Sequence, residues 1–154
     1  MNYTLEREQQ LNCGLEEAWK FFSSPMNLEK ITPEEMRFEV LSDVRNIEIY
    51  KGMTIDYYVR PLLGIRLKWK TEITEVQHLK SFVDFQKKGP YKLWKHYHEF
   101  VENESGVLMR DRVEYSLPFG VLGRMMHSLI VRRKLKNIFD YRFNVLEKLF
   151  TEKL

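Results

Sequence analysis

The chain has 154 residues, 44% hydrophobic and 31% charged, with a formal net charge of +3, a balance that builds one globular domain over 1–154 and excludes disordered chains. Its only cysteine, Cys13, excludes an internal disulfide and a cysteine-based zinc site and points to a reducing compartment. From Val121 onward eight Lys and Arg face three Asp and Glu, a net +5 that leaves −2 for the rest, and a total this small does not by itself imply nucleic acid.

The N-terminal segment is charged and lacks the apolar stretch of a secretory signal, and no apolar run is long enough to span a bilayer, so a cytoplasmic location is expected. Residues 2–11 alternate, with Tyr3, Leu5 and Leu11 inward, and predict a first strand that Gly14 breaks. Leu15, Ala18, Trp19 and Phe22 carry helical spacing and predict a helix over Leu15–Ser24, ended by Pro25. A short second helix or turn follows over 26–31. The segment Ile31-Thr32-Pro33-Glu34-Glu35 breaks it, and extended structure begins at Phe38.

From there to Leu117 the pattern is strands. Met53, Ile55, Tyr57 and Val59 share one face, as do Ile65, Leu67, Trp69, Thr71 and Ile73, and Phe82–Gln86 forms a further strand before the Gly89-Pro90 turn. Pro61-Leu62-Leu63-Gly64 is an apolar loop, suited to gate a pocket or to touch a membrane or partner. In the next hairpin Trp94, His96, His98 and Phe100 lie on one face, and Met109, Asp111, Val113 and Tyr115 on the facing strand. A turn at Asn103-Glu104-Ser105-Gly106 with Glu102 opposite Val107 sets His98 opposite Asp111 and Trp94 opposite Tyr115. Pro118 and Gly120 end the sheet. A long helix is then predicted over Val121–Glu152, with Leu122, Met125, Met126 and Leu129 as one apolar row, continued by Val131, Leu135, Ile138, Val145 and Leu149.

The strings Phe82-Val83-Asp84-Phe85-Gln86, Gly89-Pro90-Tyr91, Trp94-Lys95-His96-Tyr97-His98-Glu99-Phe100, Asp111-Arg112-Val113-Glu114-Tyr115 and Ile138-Phe139-Asp140-Tyr141-Arg142, in this order of elements, resemble the helix-grip fold of the START-like or SRPBCC superfamily, and within it small bacterial ligand-binding, polyketide cyclase/dehydrase-like proteins. The resemblance runs nearly end to end. It implies an α+β fold: a curved seven-stranded antiparallel sheet wrapped around the long C-terminal helix, two short helices between the first two strands, and a cavity between sheet and helix. Relatives of that fold include lipid-transfer domains, polyketide cyclases and aromatases, plant allergens that carry hydrophobic ligands, and quinone-binding proteins. Phe85 departs from the pattern, standing where an acid would follow Asp84, so no carboxylate pair is expected there.

His98 with Asp111 is the candidate acid–base pair, since a carboxylate can hold an imidazole in one tautomer near neutral pH. The alternative is a buried pair that fixes strand register. His96 and His98 at i, i+2 present two imidazoles to one side, but with a third ligand to be found at Asp111 or elsewhere they do not define a metal centre, and neither metal nor cofactor is expected. Arg142 interrupts the apolar row of the last helix and requires a partner: Asp111, Glu114 or an acidic ligand. Arg132-Arg133-Lys134-Leu135-Lys136 is a solvated helix face or a contact for phosphates or an anionic membrane. Met125, Met126 and His127 fill the core or border a cavity mouth.

Three functions fit these residues. The first is a hydrophobic small-molecule binder, non-enzymatic or weakly enzymatic, with Trp69, Trp94, Phe100, Met109 and Tyr115 as apolar wall and His96, His98, Asp111 and Arg142 orienting a polar end. The second is a polyketide-type cyclase or aromatase using His98 as base and Asp111 as its orienter. The third is an interaction module whose basic helix binds a macromolecule. The expected state is a monomer or weak dimer with transient membrane contact at most.

Overall fold

The computed structural model describes residues 1–61 and 64–151. Leu62 and Leu63, the centre of the expected gate loop, and Glu152, the expected last helical residue, lie outside the described residues. The order is β1 (Tyr3–Leu11), α1 (Leu15–Phe22), α2 (Asn27–Lys30), a 3-10 turn (Glu34–Met36), β2 (Glu39–Val40), β3 (Thr54–Val59), β4 (Leu67–Gln77), β5 (Ser81–Lys88), β6 (Leu93–Asn103), β7 (Gly106–Ser116), α3 (Gly120–Met126), a π-helical turn (His127–Val131) and α4 (Arg132–Thr151).

The seven strands form one antiparallel sheet in the order β1-β7-β6-β5-β4-β3-β2. Alternation sets its inner face: Met53, Ile55, Tyr57 and Val59 are buried, as are Trp69, Thr71 and Ile73. Ile65 is exposed and precedes β4, because the strand starts only at Leu67. Register shifts between Lys70 and Thr71 and between Ile73 and Glu75 interrupt the β4–β5 ladder, and such bulges bend a strand and increase its twist. The hairpin register is the expected one, with Glu102 opposite Val107, His98 opposite Asp111 and Trp94 opposite Tyr115. Gly106, at φ +117°, makes the turn possible; a Cβ there would stand 2.3 Å from the Leu11 carbonyl oxygen.

The C-terminal helical segment packs on the sheet through His127, Val131, Leu135, Phe139, Arg142, Leu146 and Phe150, all buried. The expected apolar row is corrected at its start: Leu122, Met125 and Leu129 face outward and are 60%, 55% and 70% exposed. Two features turn them out. The π turn contains Leu129 and carries one extra residue, so α3 before it, with Leu122 and Met125, is rotated by roughly 100° relative to an unbroken helix. Gly123 is the buried residue of α3, pressed so close to Pro118 that a Cβ would meet its carbonyl oxygen at 2.1 Å. Further along, Phe139 and Leu146 take the core positions expected of Ile138 and Val145, which are half-buried, and Leu149 is exposed.

Candidate functional site

Between the inner face of the sheet and α4 lies a cavity of about 180 Å³. The helix supplies Leu135, Ile138, Phe139 and Arg142, the α1–α2 region Phe22, Leu28 and Ile31, and β3 and β4 supply Ile55, Tyr57, Val59, Trp69, Thr71 and Ile73. Tyr57 stacks on Trp69 at 6.0 Å between ring centroids, and Trp94 meets Trp69 edge-on at 5.4 Å. These rings form a mostly apolar wall whose polar interruption is the Tyr57 hydroxyl, 2.7 Å from Thr71 Oγ1. Burial pushes the Tyr57 phenol up, with the Asp84 charge adding to it, against the Thr71 hydrogen bond, so it stays neutral.

The opposite wall is charged. β5, β6 and β7 set Asp84 across from His96, and His98 across from Asp111. The short contacts run diagonally instead: His96 Nε2 lies 2.8 Å from Asp111 Oδ1, and His98 Nε2 lies 2.9 Å from Asp84 Oδ2. An ionised carboxylate only accepts, so both Nε2 atoms carry hydrogen. His98 Nδ1 is 3.0 Å from Asp111 Oδ1 without the alignment of a hydrogen bond. His96 Nδ1 faces Asp84 Oδ2 at 3.6 Å, beyond hydrogen-bond range. From α4, Arg142 brings Nη2 to 3.5 Å from Asp111 Oδ1, and its Nε has no partner among the described residues. Phe82 stacks on His98 at 4.1 Å and closes the cluster on that side.

Electrostatics divide the two imidazoles. Burial pulls His96 below its ordinary value, and the neighbouring His98 adds to that. Burial pulls on His98 too, but its contacts with Asp111 and Asp84 outweigh it and raise the value. Burial would raise Asp111, yet Arg142 and the His96 hydrogen bond hold it well below the usual carboxylate range. Asp84 is likewise lowered against its burial, by His96, His98 and Arg142. Arg142 and the histidines thus favour both carboxylates as ions, and of the two imidazoles His98 holds a second proton the more tightly.

Of the residues singled out in the sequence, Trp69, Trp94, His96, His98 and Arg142 line the cavity, and Asp111 stands behind the two histidines. Phe100, Met109 and Tyr115 share the inner face but are covered before they reach the cavity. Phe100 is packed edge-on by Trp19 of α1, Met109 borders a separate small cavity together with Phe139 and Leu146 of α4, and the Tyr115 hydroxyl is 2.9 Å from His127 Nε2. Arg142 has found Asp111 of its expected partners; Glu114, on the outer face, pairs with Arg112. Asp84 is the residue that sequence reasoning left out. Its signal was the alternation Phe82, Asp84, Gln86, which turns it inward in the register of His96. Asp84, His96 and His98 also present ligand atoms that lie within 4.8 Å of one another.

The basic run is divided as well. Lys134 bonds Glu35 and Lys136 bonds Asp140, leaving Arg132 and Arg133 exposed and outside any described ion pair. Among the described residues, no helix is long and apolar enough to cross a membrane.

No family model and no curated protein matches the chain. Solved structures do. Protein CV1439 from Chromobacterium violaceum superposes with a TM-score of 0.70 at 12% identity, covering 96% of each chain. TTHA0849 from Thermus thermophilus gives 0.65 at 14% identity, covering 99% of this chain and 98% of its own. Major latex-like protein 151 from Panax ginseng gives 0.69 at 11% identity, covering 97% and 98%. At such identities the likeness concerns the fold: this chain, with its seven-stranded antiparallel sheet and long C-terminal helix, has a helix-grip architecture.

Proposed function

We propose that this protein is a ligand-binding member of the SRPBCC superfamily that holds a hydrophobic small molecule with an acidic or polar end between the sheet and α4. The observation that carries this reading is a cavity with aromatic walls on one side and the half-buried Asp84 with the buried His96, His98 and Arg142 on the other, the combination by which small-molecule sites bind and orient their ligands. An apolar cavity of roughly 150 Å³ holds a benzene-sized molecule. A volume of about 180 Å³ thus favours a single-ring or short-chain ligand over a two-chain lipid. The partnerless Nε of Arg142 supports an acceptor on that ligand, since a buried donor left unsatisfied costs about 1–3 kcal/mol.

The test is displacement of a fluorescent hydrophobic probe by a series of aromatic carboxylates and their neutral amides. Binding is expected to favour the acids and to be lost in Ile138→Trp, which fills the cavity. His98→Ala is expected to weaken binding by about 1–3 kcal/mol. Retention of probe affinity by Ile138→Trp would refute the reading. A cyclase or aromatase would instead show turnover that falls at least roughly a hundredfold in His98→Ala while binding persists.

One observation favours a further contact, with an anionic membrane surface. Phe119, Val121, Leu122, Met125 and Leu129 are each more than half exposed, and no acidic residue occurs between Glu114 and Asp140. A second copy of this basic face would repel it, whereas an anionic lipid surface accepts both the apolar tip and the arginines behind it. Co-sedimentation with vesicles containing anionic phospholipid is expected, declining with salt and abolished by Leu122→Glu with Leu129→Glu. Vesicle binding unchanged in that double variant would remove this contact from the reading.

A further inference from the structure

From the facing of Asp84 Oδ2, His96 Nδ1 and His98 Nε2 we infer that these three side chains form a binding site for a divalent first-row transition metal, with Asp111 as the positioning residue behind both histidines. The inference rests on the cavity reading above and deepens it, because the three ligands line that cavity and Asp111 does not.

Spacing is the first argument. Ligand atoms about 2.1 Å from one metal stand about 3.0–3.4 Å apart in octahedral or tetrahedral geometry. Asp84 Oδ2 lies 2.9 Å from His98 Nε2 and 3.6 Å from His96 Nδ1, so its two separations bracket that range; the three ligand atoms all lie within 4.8 Å of one another, and the two rings converge when a metal is held. The second argument is the tautomer of His96. Its Nε2 hydrogen is directed to Asp111 at 2.8 Å, which leaves the Nδ1 lone pair facing a carboxylate oxygen. A neutral ring nitrogen and a carboxylate oxygen 3.6 Å apart repel, and a metal ion bound by both turns that repulsion into attraction.

The third argument is the support behind the site. Metal-bound histidines characteristically donate their other ring N–H to a carboxylate, which fixes ring and tautomer. Asp111 Oδ1 is within 2.8 Å of His96 Nε2 and 3.0 Å of His98 Nδ1, so one oxygen is placed to serve both rings. Arg142 in turn holds Asp111 at 3.5 Å and keeps it ionised. Coordination through His98 Nε2 requires that atom without hydrogen, and the neutral ring then carries its hydrogen on Nδ1, 3.0 Å from Asp111 Oδ1. Two imidazoles and one carboxylate on one side of a metal leave positions open. Those positions face the cavity, where the charges of metal, Arg142, Asp84 and Asp111 total +1. An anionic oxygen of the bound molecule would complete them.

The experiment uses the full chain, stripped with a chelator and titrated with Co2+ while visible absorption is followed, with Zn2+ measured by competition against a chromophoric chelator. One equivalent is expected to bind. Affinity should fall at least about a hundredfold in His96→Gln and in Asp84→Asn, and about 10- to 100-fold in Asp111→Asn. His78→Ala, on the exposed surface, should change nothing. Proton NMR of the Co2+ form of the unaltered protein should show two paramagnetically shifted, exchangeable ring N–H signals, one per ligating histidine, and this readout does not depend on any variant folding. The inference is overturned if the shifted pair is absent, if binding persists in His96→Gln with Asp84→Asn, or if His78→Ala abolishes it. Probe binding by the metal-free protein, and its loss in Ile138→Trp, tests the cavity separately, so failure of the metal site and failure of the cavity reading are told apart.

Discussion

At the scale of single residues, Arg142 is a charge buried on the inner side of α4. It sits within the buried stripe of α4, 3.5 Å from Asp111 and above the rings of Phe22 and Phe139 at 5.5 and 5.8 Å. Breaking a buried pair by removing one partner costs about 3–5 kcal/mol, because the other charge is left uncompensated. Arg142→Met is therefore expected to lower unfolding free energy in urea by about that much, and Arg142→Met with Asp111→Asn by less than the sum of the two single changes. His127 makes a prediction of the opposite kind. It stacks on Tyr3 at 3.4 Å and shares a hydrogen bond with Tyr115, and burial, then Arg132, lowers its value. A lowered histidine binds its proton more readily in the unfolded chain, so its contribution is complete above the ordinary value of about 6.5 and is lost as pH falls from there through the lowered folded value. The wild type is expected to lose stability on acidification below that point more steeply than His127→Gln. Parallel profiles, measured by denaturant titration at several pH values, would contradict this.

At the scale of elements, α3 shows how one glycine can decide which way a helix faces. Replacing an interior helical glycine by alanine ordinarily gains about 1 kcal/mol. At Gly123 the new Cβ would stand 2.1 Å from the Pro118 carbonyl oxygen, and since backbone would have to move, the overpacking cost of about 1–3 kcal/mol outweighs the gain. Gly123→Ala is expected to lower the melting temperature. It should also shift α3, which fluorescence of a label placed at residue 119 would report. The hairpin of β6 and β7 is the contrasting case. Its register was legible because alternation and the Asn103–Gly106 turn are local, and a slip of one residue would have turned every side chain over. The helix row was not legible in the same way: Leu122, Met125 and Leu129 have the spacing of a buried stripe, but the π turn that contains Leu129 and rotates the other two outward leaves no mark in the apolar pattern.

At the scale of the whole molecule, β1 pairs with β7 over all nine of its residues, and the cavity is lined by α4 together with the α1–α2 region and strands β3 to β6, so it exists only once the C-terminal helix has packed on the sheet. The alternation of apolar residues by itself determined that there would be an antiparallel sheet with an aromatic inner face, that His98 and Asp111 would be neighbours, and that a long C-terminal helix would cover them; these follow from side-chain period, turn chemistry and burial of apolar surface, all properties of short windows. Only the tertiary structure decided which part of that face is cavity and which is packed shut. Trp69 and Trp94 line this cavity, whereas Phe100 and Tyr115, equally inward, meet Trp19 and His127, and Met109 borders a separate small cavity. The same holds for Asp84, which joins the histidines because β5 lies beside β6, and for Arg142, which meets Asp111 because α4 lays that turn over β7. What a side chain touches is set by segments distant in sequence, and no local pattern encodes the identity of the residue that covers it.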